Sequence, residues 1–187
     1  MGKKLTLILG GARSGKSDHA RRLAQQISES VLFVATAEAG DEEMAARIAK
    51  HRATRAGHWQ SLEAARDLGE SIRQHQPQAE LILIDCLTLL ASNVLTSLPE
   101  AITPQEAEAA LDREIDLLME AYAASHAEWI VISNEVGSGI VPPYALGRSY
   151  RDALGRANSR LAQAADEVIL LVAGLPLVLK GGSGSAS

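Results

Sequence analysis

Eight residues constrain this chain more than any others: Gly10-Gly11-Ala12-Arg13-Ser14-Gly15-Lys16-Ser17. They follow the apolar run Leu5-Thr6-Leu7-Ile8-Leu9 and precede a segment with helical spacing over 18–27. G-x-x-x-x-G-K-[ST] between a strand and a helix is a phosphate-binding loop. Its glycines allow a tight turn whose successive N–H groups point inward at an anion. The helix behind it adds unpaired N–H groups and the positive end of its dipole. Lys16 is placed to reach the β- and γ-phosphates of a nucleoside triphosphate, and the Ser17 hydroxyl to ligate Mg²⁺. A glycine-rich turn that merely linked strand to helix has no use for Gly-Lys-Ser in that order.

A loop of this kind presupposes an α/β sheet, and the rest of the chain supplies one. Short Val/Ile/Leu runs at 5–9, 31–35, 81–84, 129–133 and 168–172 read as buried strands. Segments with helical spacing at 18–27, 41–52, 62–75, 104–124 and 150–165 lie between them. That alternation predicts a mostly parallel sheet with helices on both faces. The run 175–180, after Gly174, predicts a last antiparallel strand, and Pro176 confines it to the sheet edge. Residues 1–180 are expected to form a single domain, and the Gly/Ser tail 181–187 to be disordered.

Composition narrows the partners. The 187 residues are 47% hydrophobic and 22% charged, as expected of a globular domain. A net charge of −5 leaves no basic footprint, and 3% aromatics offer few stacking platforms, so nucleic acid is not the expected partner. One cysteine, Cys86, rules out an internal disulfide framework and suits a reducing compartment. No apolar run approaches the roughly 20 residues of a membrane span, and Met-Gly-Lys-Lys leads straight into a strand. A cytoplasmic location is expected.

In open α/β sheets ligands bind outside the carboxyl ends of the strands. Polar residues collect there: Thr36 after the second run, Asp85 after the third, Asn134-Glu135 after the fourth. Asp85, behind four apolar residues, reads as a metal-organising carboxylate or as a cap for a following helix. Lys50, His51, Arg52, Arg55 and His58 form a positive cluster in an acidic protein. Such a cluster is either a solvated helix end or a clamp on a triphosphate. In the second case a neutral histidine among the cations can act as a nucleophile on phosphorus.

The loop at 10–17 resembles that of the bifunctional adenosylcobinamide kinase/adenosylcobinamide-phosphate guanylyltransferases, the CobU/CobP family of cobalamin biosynthesis. Asp41-Glu42-Glu43-Met44, Arg47-Ile48, His51-Arg52, His58-Trp59 and the run Asn134-Glu135-Val136-Gly137-Ser138-Gly139-Ile140-Val141-Pro142 are also similar. So is the stretch from Ala157-Asn158 through Arg160-Leu161-Ala162 to Ala165-Asp166-Glu167-Val168, so that the likeness spans nearly the whole chain. The resemblance implies a RecA-like phosphate-loop fold, a homotrimer, and two reactions. In the first, ATP or GTP phosphorylates adenosylcobinamide. In the second, GTP guanylylates a histidine, and adenosylcobinamide phosphate takes the GMP. That histidine falls on His51. Position 50, a second histidine in some relatives, is Lys50 here, which leaves one candidate. By the same resemblance nucleotide contacts fall on Gly10 to Ser17, on Ala35, Thr36 and Ala37, on Arg52, Ala53, Thr54 and Arg55, and on Glu63 and Asp85. Lys16 joins His51 as catalytic, and Ser17 and Asp85 are the expected metal ligands. Asp85 is one methylene shorter than the Glu often found in relatives. A plain nucleotide kinase or ATPase is the alternative; a regulatory GTP switch lacks its guanine-reading Asn/Thr-Lys-x-Asp motif here.

Overall fold

The computed structural model describes residues 3–38, 56–75, 78–99 and 102–181. Among these residues seven strands form one sheet: β1 (Leu5–Gly10), β2 (Val31–Ala35), β3 (Gln60–Glu63), β4 (Leu81–Asp85), β5 (Glu128–Asn134), β6 (Glu167–Val172) and β7 (Leu175–Lys180). Their order is β3-β2-β4-β5-β1-β6-β7, parallel throughout except for the antiparallel β6/β7 pair. Five helices flank it among the described residues: α1 (Lys16–Ile27), α2 (Leu68–His75), α3 (Leu87–Thr96), α4 (Pro104–Ala124) and α5 (Ala145–Ala164).

The five inner strands are mostly apolar on both sides because both faces are covered. Alternate residues serve different cores. Ile8, Phe33, Leu83 and Ile132 pack with Ala20 and Ala24 of α1. Leu7, Leu32, Ile82 and Val131 pack against the other helices, through residues such as Leu90, Leu111 and Leu154. Most of these side chains are fully buried. Each contributes about 1.5–3 kcal/mol relative to exposure. The antiparallel edge behaves differently: Leu175, Leu177, Val178 and Leu179 of β7 are all exposed.

The helix starts follow from side chains. The Thr103 hydroxyl accepts from the Glu106 N–H at 3.2 Å, and the Glu106 carboxylate accepts from the Thr103 N–H at 2.7 Å. With Pro104 in the first turn, this capping box begins α4. Helix α2 is started from elsewhere in the chain. The buried Glu114 carboxylate of α4 accepts from the N–H groups of Asp67 (2.6 Å) and Leu68 (3.3 Å).

Two elements depart from the sequence reading. Residues 62–75 were expected to be one helix, but Leu62 and Glu63 belong to β3, and the helix begins only at Leu68. The backbone of Leu62 is drawn into the ladder opposite Val34, which local spacing does not report. Helix α3 was not anticipated. Six of its ten residues are buried, so it lacks the polar face that gives a helix its periodic signature. The expected strand 175–180 is present, antiparallel and at the edge. The expected helix over 41–52 and the tail 182–187 lie outside the described residues.

Candidate active site

The phosphate loop closes β1 and opens α1. Its N–H groups are turned by two left-handed residues, Arg13 (φ 58°) and Gly15 (φ 90°), the second forming the N-cap of α1. The loop is braced from behind. Gly174, in the β6–β7 turn, donates its N–H to the Ser14 carbonyl at 2.9 Å. Gly10 lies so close to its surroundings that a Cβ there would sit 2.4 Å from Ser14 Oγ and 2.8 Å from the Leu171 carbonyl oxygen. The Lys16 ammonium folds back over the loop and donates to the Gly11 carbonyl at 3.0 Å. Ser14 Oγ is buried with no hydrogen-bond partner among the described residues. The loop borders a cavity of about 500 Å³, lined across from it by Glu135, Ser138 and Leu171.

Asp85 approaches from two strands away. In β4, Leu81 and Leu83 pack under α1, so alternation puts Asp85 on the same face as the loop. Strand order brings it to the loop's side of the sheet, with β5 alone between β4 and β1. Burial raises the Cys86 thiol above its ordinary pKa, the Asp85 carboxylate raises it further, and Lys16 opposes them. Lys16, at the start of α1, and Asp85, at the end of β4, stand at the same carboxyl edge of the sheet. The Ser17 hydroxyl and the Asp85 carboxylate are hard oxygen donors of the kind that could hold Mg²⁺.

The strand exits around Asp85 are tied together. Thr36, fully buried, donates its N–H to the Asp85 carbonyl at 3.2 Å. Its hydroxyl donates to the Cys86 carbonyl at 2.7 Å and accepts from the Cys86 N–H at 2.8 Å. From α3, the Asn93 carboxamide donates to the carbonyls of Thr36 (2.7 Å) and Ala65 (3.0 Å). The Thr88 hydroxyl accepts from the Asn134 N–H at 2.8 Å, and Asn158 donates to the Asn134 carbonyl at 2.9 Å. Burial pushes the Tyr150 phenol up to about 12, so it remains a donor, to the Thr88 carbonyl at 3.2 Å. Beyond Asn134, the Glu135 carboxylate accepts from the N–H groups of Gly137 and Ser138.

Of the residues expected to touch nucleotide or metal, Gly10, Gly11, Ala12, Arg13, Ser14, Gly15, Lys16 and Ser17 form the loop and the start of α1. Ala35, Thr36, Ala37, Glu63 and Asp85 stand at or just past the carboxyl ends of β2, β3 and β4. Ala35 pairs with both Glu63 and Asp85. His51, Arg52, Ala53, Thr54 and Arg55 lie outside the described residues. Sequence reasoning missed Thr88 and Asn93, neither of which carries a local signal, and it placed the turn at Gly174 without foreseeing that this turn braces the loop.

The loop, the acid at the end of β4 and their shared edge are those of a nucleotide-using enzyme. Residues 6–179 match the family described as cobinamide kinase / cobinamide phosphate guanyltransferase. The chain belongs to that family.

Among curated members, it is 41% identical to the bifunctional adenosylcobalamin biosynthesis protein CobU of Salmonella typhimurium, over 94% of this chain and 99% of that protein. It is 43% identical to the protein CobP of Pseudomonas aeruginosa, over 94% of this chain and 96% of that one. The CobU protein of Escherichia coli is 40% identical over the same shares as the Salmonella protein. Among solved structures, the flagellar accessory protein FlaH of Methanocaldococcus jannaschii superposes with a TM-score of 0.52 at 17% identity, covering 98% of this chain and 82% of that one. At that identity the likeness concerns the fold alone, the RecA-like phosphate-loop architecture expected from the sequence. The family is defined by two activities, a kinase and a guanyltransferase of adenosylcobalamin biosynthesis, and the chain is an enzyme of that kind. Both activities consume nucleotide, which is what the loop is shaped to hold. Among the described residues no helix is long and apolar enough to cross a membrane.

Proposed function

We propose that this protein phosphorylates adenosylcobinamide with ATP or GTP, and then transfers GMP from GTP to the product by way of His51. The observation that carries the reading is a family match over 6–179 coinciding with a built phosphate loop whose lysine shares its edge with Asp85. Residues 1–180 act as one catalytic unit.

In the kinase step the loop N–H groups and Lys16 hold the β- and γ-phosphates and take up charge as the terminal phosphoryl group leaves. Ser17 and Asp85 would hold Mg²⁺, which would supply neutralisation of phosphate charge. In the transfer step a His51 ring nitrogen attacks the α-phosphorus. A P–N bond forms, the bond to the β-phosphate oxygen breaks, and pyrophosphate leaves. An oxygen of adenosylcobinamide phosphate then attacks the same phosphorus, the P–N bond breaks, and the diphosphate linkage is made. Arg52 and Arg55 stabilise the charge that develops. Nucleotide contacts from Ala35, Ala37, Ala53, Thr54 and Glu63 complete the site, with Thr36, expected among them, wholly buried behind and its hydroxyl engaged by Cys86.

A corrinoid is large, with apolar macrocycle surface between its amide side chains. The exposed side chains of Ile140, Val141, Tyr144 and Leu146 follow directly on the Glu135–Ser138 turn at the cavity and offer it a surface. The exposed apolar strand β7 is suited to a contact between copies of the chain, in keeping with a homotrimer. A cytoplasmic setting fits the nucleotide substrates and the single thiol.

Intact-mass measurement after incubation with GTP and Mg²⁺ tests the proposal. A mass increase of one GMP is expected, acid-labile and alkali-stable, absent in His51→Ala, and discharged by adenosylcobinamide phosphate. Turnover of nucleotide with no adduct would leave a plain kinase or ATPase and refute the histidine step.

A further inference from the structure

The Asp85 carboxylate works only if it is aimed. It stands at the last position of β4, where the ladder ends and the chain turns into α3. Asp85 itself is still paired with Ala35 and Ile132, but Cys86 after it has no partner in the ladder. Here one side chain takes over from the ladder.

Thr36 holds both ends of the peptide that follows Asp85. Its N–H binds the Asp85 carbonyl (3.2 Å), and its hydroxyl binds the Cys86 N–H (2.8 Å) and the Cys86 carbonyl (2.7 Å). With its carbonyl taken by Asn93, Thr36 has its N–H, its carbonyl and its hydroxyl all engaged within the protein, and none of its surface is exposed. A residue so placed has no hydroxyl to offer a ligand. Asn93 extends the clasp. Its carboxamide also binds the Ala65 carbonyl, two residues past Glu63, so that the exits of β2, β3 and β4 are locked to α3.

We propose that the Thr36 hydroxyl, seated by Asn93, is a positioning group that fixes the orientation of the Asp85 carboxylate toward the nucleotide-bound metal. This rests on the metal role given to Asp85 above. The Thr36 hydroxyl serves the site through the Asp85–Cys86 backbone, not by touching nucleotide. Cys86 cannot substitute for it, because its contribution to the clasp is main-chain only.

The test is the Mg²⁺ concentration dependence of nucleotide binding, followed with a fluorescent GTP analogue on the full chain. Binding in EDTA and the melting temperature are measured alongside. Thr36→Val keeps the shape and removes the hydroxyl; it is expected to raise the Mg²⁺ midpoint about tenfold while leaving affinity in EDTA within about twofold. Thr36→Ser restores the midpoint. Asn93→Asp, which removes both donated bonds at constant size, shifts the midpoint in the same direction by a smaller factor, and it decides the matter alone if Thr36→Val does not fold.

An unchanged midpoint in Thr36→Val overturns the inference, even if the melting temperature falls, for the hydroxyl is then only structural. An equal loss of affinity with and without Mg²⁺ also overturns it, because the hydroxyl then contacts nucleotide. Asp85→Asn separates this inference from the reading beneath it. If Asp85→Asn leaves the midpoint in place, the metal role of Asp85 fails and the inference falls with it. A shift in Asp85→Asn without one in Thr36→Val refutes the clasp alone.

Discussion

Replacing Gly10 by alanine adds one methyl group where the structure has no room for it. The new Cβ would stand 2.4 Å from Ser14 Oγ and 2.8 Å from the Leu171 carbonyl oxygen. The serine hydroxyl can rotate away, but its own Cβ remains at 3.2 Å, and the Leu171 oxygen belongs to the backbone of β6. Relief therefore requires the end of β1 to separate from β6, or the loop to rise, by about half an ångström. Overpacking of this kind costs about 1–3 kcal/mol. For a chain of this size each kcal/mol lowers the melting temperature by about 2–4 °C. The larger effect falls on binding, because the N–H groups that cradle the phosphates ride on the displaced loop. Misplacement approaching 1 Å costs on the order of 10²-fold in a preorganised site. Gly11→Ala is the control: a Cβ at that neighbouring position meets nothing within 4 Å. Differential scanning fluorimetry and titration with a fluorescent GTP analogue should show Gly10→Ala destabilised and weakened at least tenfold for nucleotide, with Gly11→Ala close to the parent in melting temperature. Equal behaviour of the two variants would refute the argument that the close approach of β6 shapes the loop.

Two further outcomes follow from other parts of the fold. Thr103→Ala removes the hydroxyl of the capping box and should cost about 1 kcal/mol, or about 2–4 °C in melting temperature, without altering nucleotide turnover. Because burial and Asp85 hold the Cys86 thiol above its ordinary pKa, its thiolate is scarce at pH 8. Alkylation by iodoacetamide should be far slower in the native protein than after unfolding in guanidinium, and should quicken as pH rises; a native rate equal to that of a free thiol would contradict the burial.

Local pattern carried this chain a long way. The order Gly-Lys-Ser after an apolar run fixed the phosphate loop, since only a strand–loop–helix unit uses those residues in that sequence. The Val/Ile/Leu runs announced a parallel sheet because strands covered on both faces have no polar side to show. Pro176 confined β7 to the edge for want of an N–H. Folding decided what local pattern cannot encode. Whether Leu62 and Glu63 join a helix or a strand depended on Val34 and Ala35 being free to pair with them. Helix α3 was invisible because burial on most sides erases periodicity. The nearness of Lys16 to Asp85, about seventy residues apart in sequence, comes from strand order, with β5 set between β1 and β4. The joining of Thr36, Asn93 and Cys86 likewise depends on three exits meeting at one edge. Residue type and spacing tell which chemistry a segment can perform. Only hydrogen bonds and packing between segments distant in sequence place the groups that perform it together.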